Sequence, residues 1–166
     1  MQAAWEETNF ARFFQDSAIP MHEIEPGLYL GSLDAAKNYQ LLKDNNITHV
    51  LAILDTFRYM QNFEGIRYHQ IELPDSTQAA LVPHLPGALS FIAQARRSNQ
   101  NVLVHCAAGV SRSASFVIAY IMVKYNYPFD QAKEIVKQKR GCVWPNTGFQ
   151  RQLTAMNVEE YRKYLN

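Results

Sequence analysis

A cysteine and an arginine near the middle of the chain are separated by five small or short residues. The cysteine is Cys106 and the arginine is Arg112, and between them lie Ala107, Ala108, Gly109, Val110 and Ser111. A loop of this kind can turn successive backbone N–H groups toward one point and form a nest for an anion. Arg112 can add two parallel donors that match two oxygens of a phosphate. The segment therefore predicts a cradle for a tetrahedral oxyanion.

The donors that would hold an oxyanion would also stabilise a thiolate on Cys106. A free cysteine ionises at a pH of about 8.5, whereas cysteines beside such donors ionise at about 3.5 to 7.5. Because the thiolate is the nucleophilic form, Cys106 is a candidate for attack on phosphorus. A cysteine at a strand end is more often an inert small hydrophobic residue. The inference therefore depends on the loop around it.

Residues 105–113 read HCAAGVSRS, which resembles the HCx5R[ST] signature of the cysteine-dependent protein phosphatases. The Ala-Ala-Gly-Val-Ser filling is similar to that of the dual-specificity subgroup, and the chain, which shows no obvious basic docking segment, resembles the small atypical members of that subgroup. The resemblance extends from about Ile24 to Leu165 and includes GLYLGS near its start and VWPNTGFQRQL near its end. Cysteine-to-arginine spacing alone also occurs in rhodanese-like and arsenate-reducing enzymes. The whole pattern therefore carries the resemblance.

The resemblance implies an enzyme that hydrolyses phosphate monoesters on phosphotyrosine and on phosphoserine or phosphothreonine of proteins. Cys106 would form a phosphocysteine intermediate, while Arg112 and the loop amides of residues 107–111 hold the equatorial oxygens. Asp75 would protonate the leaving group and then activate the water that attacks the intermediate. Ser113 would stabilise the departing thiolate. The resemblance implies no metal and no other cofactor.

Two further positions receive supporting roles from the resemblance. His105 would order the loop by hydrogen bonding, and Asn146 in WPNTGF would brace the loop with its amide. Several of the assigned positions also have plain structural explanations. Pro-Asp-Ser around Asp75 and the Pro-Asn pair at Asn146 are good turn sequences. Ser113 could serve helix capping, which Ser111 could supply equally well.

Three other features stay outside the predicted machinery. Arg58 is a candidate for the rim of the site. The basic run KQKR at residues 137–140 is expected to complement a helix C-terminus and to form a solvated face, the alternative being contact with a substrate anion. Cys142 could trap Cys106 as a disulfide only if the two residues lay close enough. Two rival functions remain: a catalytically silent phosphate-binding module, and sulfur or arsenate transfer.

The elements that must position these residues alternate along the chain. Strand patterns occupy residues 27–31, 48–54, 67–73 and 101–105, and helix patterns occupy residues 3–15, 32–46, about 84–99, 111–125, 130–140 and 147–165. This alternation predicts an α/β domain with a central, mostly parallel sheet of about five strands and helices on both faces. The loop 106–111 then follows a buried strand at its carboxyl end, where ligands of such sheets bind.

Composition limits the remaining possibilities. The chain has 166 residues and a formal charge of +1, so neither a nucleic acid nor a membrane is an expected partner. Two cysteines cannot form a disulfide framework, and the first residues show no secretory pattern, so we expect a cytoplasmic protein, with the nucleus as an alternative. We expect an N-terminal extension at residues 1–20, a catalytic domain at 21–166, a phosphoprotein substrate and a monomer.

Overall fold

Five strands form one mixed sheet in the computed structural model, which describes residues 2–166. In chain order they are β1 (Met21–Glu25), β2 (Leu28–Gly31), β3 (Ile47–Leu54), β4 (Arg67–Glu72) and β5 (Asn101–His105). Their spatial order is β1-β2-β5-β3-β4, in which β1 pairs antiparallel with β2 and every other pair is parallel. The predicted sheet is confirmed. Only β1 had no predicted counterpart, because this edge strand buries Ile24 alone and shows no clear alternation.

Helices cover both faces of the sheet. They are α1 (Gln2–Ser17), α2 (Leu33–Lys37), α3 (Tyr39–Asp44), α4 (Leu85–Arg97), α5 (Arg112–Tyr125), α6 (Phe129–Lys139), α7 (Thr147–Thr154) and α8 (Val158–Tyr161), with short 3-10 turns at Val82–His84 and Arg162–Leu165. None of the helices in residues 2–166 is both long enough and apolar enough to cross a bilayer.

Two helices that the sequence predicts as continuous are each interrupted by an asparagine. The side chain of Asn38 accepts a hydrogen bond from the N–H of Leu41, so that α2 ends and α3 begins at this residue. Asn157 accepts from the N–H of Glu159 and starts α8 in the same way. Asparagine side chains compete with helical backbone bonds, which explains the break at Asn38. In the second case α7 already ends at Thr154, and Asn157 sets the start of the next helix.

The sheet separates two hydrophobic cores. The larger core packs α4 and α5 against one face, and α5 is buried from Arg112 to Val123. The smaller core packs α2 and α3 against the other face. Neighbouring residues of β5 point to opposite faces, so Val104 belongs to the larger core and Leu103 to the smaller one. Both elements that flank the loop 106–111 are therefore fixed by burial.

The helix expected at residues 3–15 extends over Gln2–Ser17 as α1. Met1, the first residue of the expected extension, lies outside the described residues. At its carboxyl end α1 contacts the α6 region, where Arg12 donates to the carbonyl of Gln138 and the Asp16 carboxylate accepts from the N–H of Gly141. The side chains of Phe10 and Phe14 are exposed.

Candidate active site

The loop 106–111 joins the buried end of β5 to the buried start of α5. Gly109 turns the chain with φ of +69°, a conformation that side chains disfavour. A Cβ at this position would lie 2.6 Å from the carbonyl oxygen of Gly31 and 2.8 Å from the Arg140 guanidinium. The close packing of the loop on its surroundings therefore requires glycine here.

Every carbonyl group from residue 106 to residue 110 accepts a hydrogen bond from outside the loop. The donors are, in order, His105 Nδ1 (3.1 Å), the N–H of Leu33 (3.0 Å), Nη2 and Nε of Arg140 (3.2 and 3.0 Å) and the N–H of Trp144 (2.8 Å). In a trans peptide the C=O and N–H groups point in opposite directions. The amides of residues 107–111 therefore face the inside of the loop, and within the described chain only that of Gly109 has an acceptor, the Cys106 sulfur. The loop therefore has the geometry of an anion-binding nest.

The sulfur of Cys106 lies at the floor of this nest, in a residue that is 2% exposed. The N–H of Gly109 lies 3.3 Å from Sγ, and the hydroxyl oxygen of Ser113 lies 3.1 Å from it. Ser113 belongs to the first turn of α5, so the positive end of the helix dipole faces the same sulfur. The two donors and the end of the helix therefore converge on the sulfur.

The Arg112 guanidinium is held at one edge and open at the other. Its Nη1 donates to Asp55 Oδ1 at 2.8 Å and to the carbonyl of Leu73 at 3.1 Å, two residues that directly follow β3 and β4. Its Nε is buried and has no hydrogen-bond partner among the described residues. A buried unpaired donor is costly, and an oxyanion in the nest would satisfy it.

Asp75 is tied to the loop by two side chains. Its Oδ1 accepts from Ser111 Oγ at 2.7 Å and from Asn146 Nδ2 at 2.9 Å. The N–H of Asn146 in turn donates to Ser111 Oγ at 2.9 Å. Ser111 begins α5 without a capping bond from its side chain, because its hydroxyl serves Asp75 instead.

The segment that carries Asp75 is fastened to α7. The N–H of Leu81 donates to Gln152 Oε1 at 2.7 Å, and Gln152 Nε2 donates to the carbonyl of Ala79 at 2.9 Å. At Gly148 the two backbones approach so closely that a Cβ would lie 2.2 Å from the carbonyl oxygen of Thr77. The carboxylate thus reaches the loop from a segment that is already docked.

His105 is fully buried beneath the loop. Burial lowers the pKa of His105 to about 4, although the hydrogen bond to the Cys106 carbonyl opposes this shift. The imidazole is therefore neutral at pH 7, and its Nδ1 donates to that carbonyl. This hydrogen bond orients the loop. Because His105 is buried beneath the loop and bound to a backbone carbonyl, it is not placed to act as a general base.

A cleft of about 220 Å³ opens beside the nest. Its lining includes Ala107, Arg112, Tyr59 and Met60, with Lys37 as a cation. A larger cavity of about 580 Å³ lies near Asn101, at the amino end of β5, and its lining contains none of the site residues described above. The smaller cleft is therefore the one that bears on the chemistry.

All the site residues that the sequence predicts lie together. Two further residues that contact them, Asp55 and Arg140, were not predicted to belong to the site. Asp55 binds the arginine, and no sequence signal marks it apart from its place after a strand. Arg140 was expected on a solvated face and is instead fully buried against the loop. In the sequence Arg140 is one more cation of the basic run KQKR. In the structure α6 ends at Lys139, and the chain then turns inward and buries Arg140.

The structure also describes the surroundings of Arg58 and Cys142, the predicted rim residue and the second cysteine. The Arg58 guanidinium lies 5.7 Å from the ring centre of Tyr59, in the segment after β3. Cys142 is a buried free thiol whose pKa is raised by burial.

Comparisons with known proteins agree with this geometry. A family model for the dual specificity phosphatase catalytic domain matches residues 28–159. The chain is 40% identical over 148 residues to dual specificity protein phosphatase 22 of Homo sapiens, covering 87% of this chain and 79% of that protein. It is 38% identical over 153 residues to dual specificity protein phosphatase 1 of Arabidopsis thaliana, covering 92% and 76% respectively. The crystal structure of DUSP15 superposes with a TM-score of 0.82 and 32% identity, covering 88% of this chain and 94% of that one.

Proposed function

This chain belongs to the dual-specificity protein phosphatase family, and we propose that it dephosphorylates proteins through a phosphocysteine formed on Cys106. Family membership makes it a protein phosphatase of the small atypical kind. The roles of individual residues, the covalent intermediate and the choice of phosphorylated side chain are the proposal.

In the first step the Cys106 thiolate attacks phosphorus. A sulfur–phosphorus bond forms while the bond between phosphorus and the leaving oxygen breaks, and that oxygen keeps the electron pair. Protonated Asp75 gives its proton to the leaving oxygen. The inward amides and the free edge of Arg112 hold the three equatorial oxygens, where charge accumulates in the transition state.

In the second step a water molecule attacks the phosphocysteine. The Asp75 carboxylate takes a proton from the water, an oxygen–phosphorus bond forms and the sulfur–phosphorus bond breaks. The sulfur leaves as a thiolate, which Ser113 Oγ and the N–H of Gly109 stabilise. Inorganic phosphate is released, and both Asp75 and Cys106 return to their initial states.

One observation carries the proposal. The Arg112 Nε is buried and has no partner in the part of the chain that the structure describes, and the loop amides converge on the same pocket as the Cys106 sulfur. Donors arranged in this way match the oxygens of a phosphoryl group bonded to that sulfur. A phosphate-binding module without turnover would need the donors, but it would have no use for a hydroxyl against the sulfur.

The test is phosphate release from a phosphotyrosine peptide and from a phosphothreonine peptide, in EDTA and without added metal. We expect wild-type protein to release phosphate from both and Cys106→Ser to release none. Cys142→Ser is the matched control, because it removes the other buried thiol and should retain activity. Rapid quenching should show one phosphoryl group on Cys106. Wild-type protein that binds both peptides and releases nothing would favour the silent binding module.

A further inference from the structure

Arg140 is a buried cation whose hydrogen-bond partners among the described residues include no carboxylate. It is 0% exposed, and each of its bonds goes to a backbone carbonyl or to a histidine ring. Burial lowers its pKa, and the Asp16 carboxylate is among the groups that oppose this effect. Keeping a guanidinium in such a place is expensive. A specific geometric task would explain its presence.

One edge of this guanidinium holds the loop. Nε donates to the carbonyl of Gly109 at 3.0 Å, and Nη2 donates to the carbonyl of Ala108 at 3.2 Å. These carbonyls belong to the same peptide groups as the N–H of Val110 and the N–H of Gly109. Fixing the two oxygens outward therefore turns two amides inward, and one of them already contacts the Cys106 sulfur.

The other edge holds the segment that joins α1 to β1. Nη1 donates to the carbonyl of Ile19 at 2.7 Å and approaches the carbonyl of Asp16 at 3.4 Å and His22 Nδ1 at 2.9 Å. The Asp16 carboxylate also accepts from the N–H of Gly141, next to the arginine. The guanidinium is thus clamped between the N-terminal segment and the loop.

We propose that Arg140 is a positioning residue that keeps the loop amides turned toward Cys106, and that residues 16–22 complete its binding site. The inference rests on the proposed role of Cys106 as a nucleophile. It makes the N-terminal segment part of the support of the active site. The effect on phosphate transfer passes through the orientation of two peptide groups, since Arg140 itself faces away from the nest.

The experiment compares full-length wild-type protein with Arg140→Met and Arg140→Lys. Alkylation by iodoacetamide across pH reports where Cys106 ionises, and kcat and KM are measured on the phosphotyrosine peptide. For Arg140→Met we expect the alkylation midpoint to rise by about one pH unit and kcat/KM to fall by about 10-fold or more, because amides that stabilise the thiolate lose their orientation. The alkylation midpoint and kcat/KM of Arg140→Lys should lie between those of wild-type protein and Arg140→Met. A lysine keeps the charge, but its ammonium cannot reproduce the planar pair of donors.

Arg12→Gln is the matched control. It removes another arginine that bridges α1 to the α6 region, and its polar partners among the described residues are the Gln138 carbonyl and the Asp16 carboxylate, not the loop. It should lower the free energy of unfolding and leave the alkylation midpoint and kcat/KM unchanged. A folded Arg140→Met with the wild-type midpoint and kcat/KM would overturn the inference. A wild-type midpoint near the free-cysteine value of about 8.5 would instead remove the proposed function beneath it.

If the Arg140 variants do not fold, crystals of wild-type protein with and without orthovanadate decide the question. The carbonyls of Ala108 and Gly109 should face Arg140 in both structures. A loop that turns these carbonyls away in the vanadate-free crystal would show that the oxyanion, and not Arg140, orients the amides.

Discussion

Three serines at the start of α5 have three different partners. Ser111 Oγ donates to Asp75, Ser113 Oγ contacts the Cys106 sulfur, and Ser115 Oγ returns to the carbonyl of Ser111 at 2.7 Å. Residues two apart on a helix point in different directions. One short run of hydroxyls can therefore serve the proposed acid, the proposed nucleophile and the helix itself.

Replacing Asp75 should separate the leaving-group step from binding. Asp75→Asn keeps an oxygen that can accept from Ser111 but loses the exchangeable proton of the carboxyl group. We expect kcat on the phosphotyrosine peptide to fall by about 10² to 10⁴, with a smaller loss on aryl phosphates that have good leaving groups. Asp130→Asn, in the first turn of α6, is the control carboxylate. An unchanged kcat on the peptide would exclude Asp75 as the acid.

Ser113→Ala should slow breakdown of the intermediate more than its formation. Loss of the hydroxyl removes a donor to the sulfur that leaves in the second step. Rapid-quench measurements should then show a burst of product followed by slow turnover, with phosphocysteine accumulating. Ser115→Ala removes a buried hydroxyl whose one hydrogen bond among the described residues goes to the carbonyl of Ser111 and not to the sulfur, and it should show no burst. Equal slowing of both steps in Ser113→Ala would contradict the assignment.

His105 should make stability fall in mild acid. Its pKa is about 4 in the folded chain and 6.5 as the reference for the unfolded chain, so the unfolded state binds more protons between these values. The contribution is complete above pH 6.5 and decreases as the pH falls toward 4, by up to about 3 kcal/mol.

Urea unfolding at pH 7.5 and pH 4.5 tests this contribution. His105→Gln should lose less free energy of unfolding between the two pH values than wild-type protein does. The half-buried histidines His22, His49 and His69 titrate in both proteins, so the comparison between the two proteins isolates His105. The same loss in both would be the contrary result.

At the level of elements, the N-cap residue of α7, Asn146, makes two different contacts. Asn146 Oδ1 accepts from the N–H of Phe149 and caps the helix, while Nδ2 donates to Asp75. One side chain therefore caps α7 and donates to Asp75, and its supporting role in the site stays a prediction. Asn157 caps α8 in a similar way but has no partner in the site.

The two caps provide a matched pair of variants. Asn146→Ala and Asn157→Ala should each lower the free energy of unfolding by about 1 kcal/mol. Only Asn146→Ala should lower kcat, by about 10-fold, because it removes a donor from Asp75. Asn146→Asp keeps the cap oxygen but replaces the donor by a second carboxylate against Asp75, so it should lower kcat although the helix cap is retained. Equal kcat values for all three variants and wild-type protein would exclude Asn146 as a support for Asp75.

The sequence predicts the elements whose patterns are strong. The apolar run of β5 and the small residues after it mark the strand and the loop, and the alternation of elements gives the sheet. The pattern of β1 is too weak, since its pairing with β2 comes from the fold and not from its own side chains. Arg140 looks like one more exposed base, because only the course of the chain after α6 decides whether it turns inward. Long-range contacts of this kind leave no local signal.

At the scale of the whole molecule, β5 links the two hydrophobic cores to the loop 106–111. It lies at the centre of the sheet between β2 and β3, contributes to both cores and ends at the loop. Neither core can lose its packing without disturbing this strand. The two layers of helices should therefore unfold together.

Unfolding in urea should be a single transition by far-ultraviolet circular dichroism and by exposure of Cys106 to labelling. Leu103→Ala in the smaller core and Leu89→Ala in the larger core should each lower the stability of that transition by about 2 to 5 kcal/mol. Val82→Ala, at a partly exposed position, should have little effect. A second transition in either core variant would show that the layers unfold independently.

The contact between Gly148 and Thr77 has a kinetic consequence. A flap that swings shut over each substrate spends part of every cycle in transit, and its rate then sets a ceiling on turnover. Here the segment that carries Asp75 is already packed against α7 in the absence of substrate. Closure of this segment should therefore not limit turnover. The rate of the step in which Asp75 protonates the leaving group should therefore not change when solvent viscosity is raised.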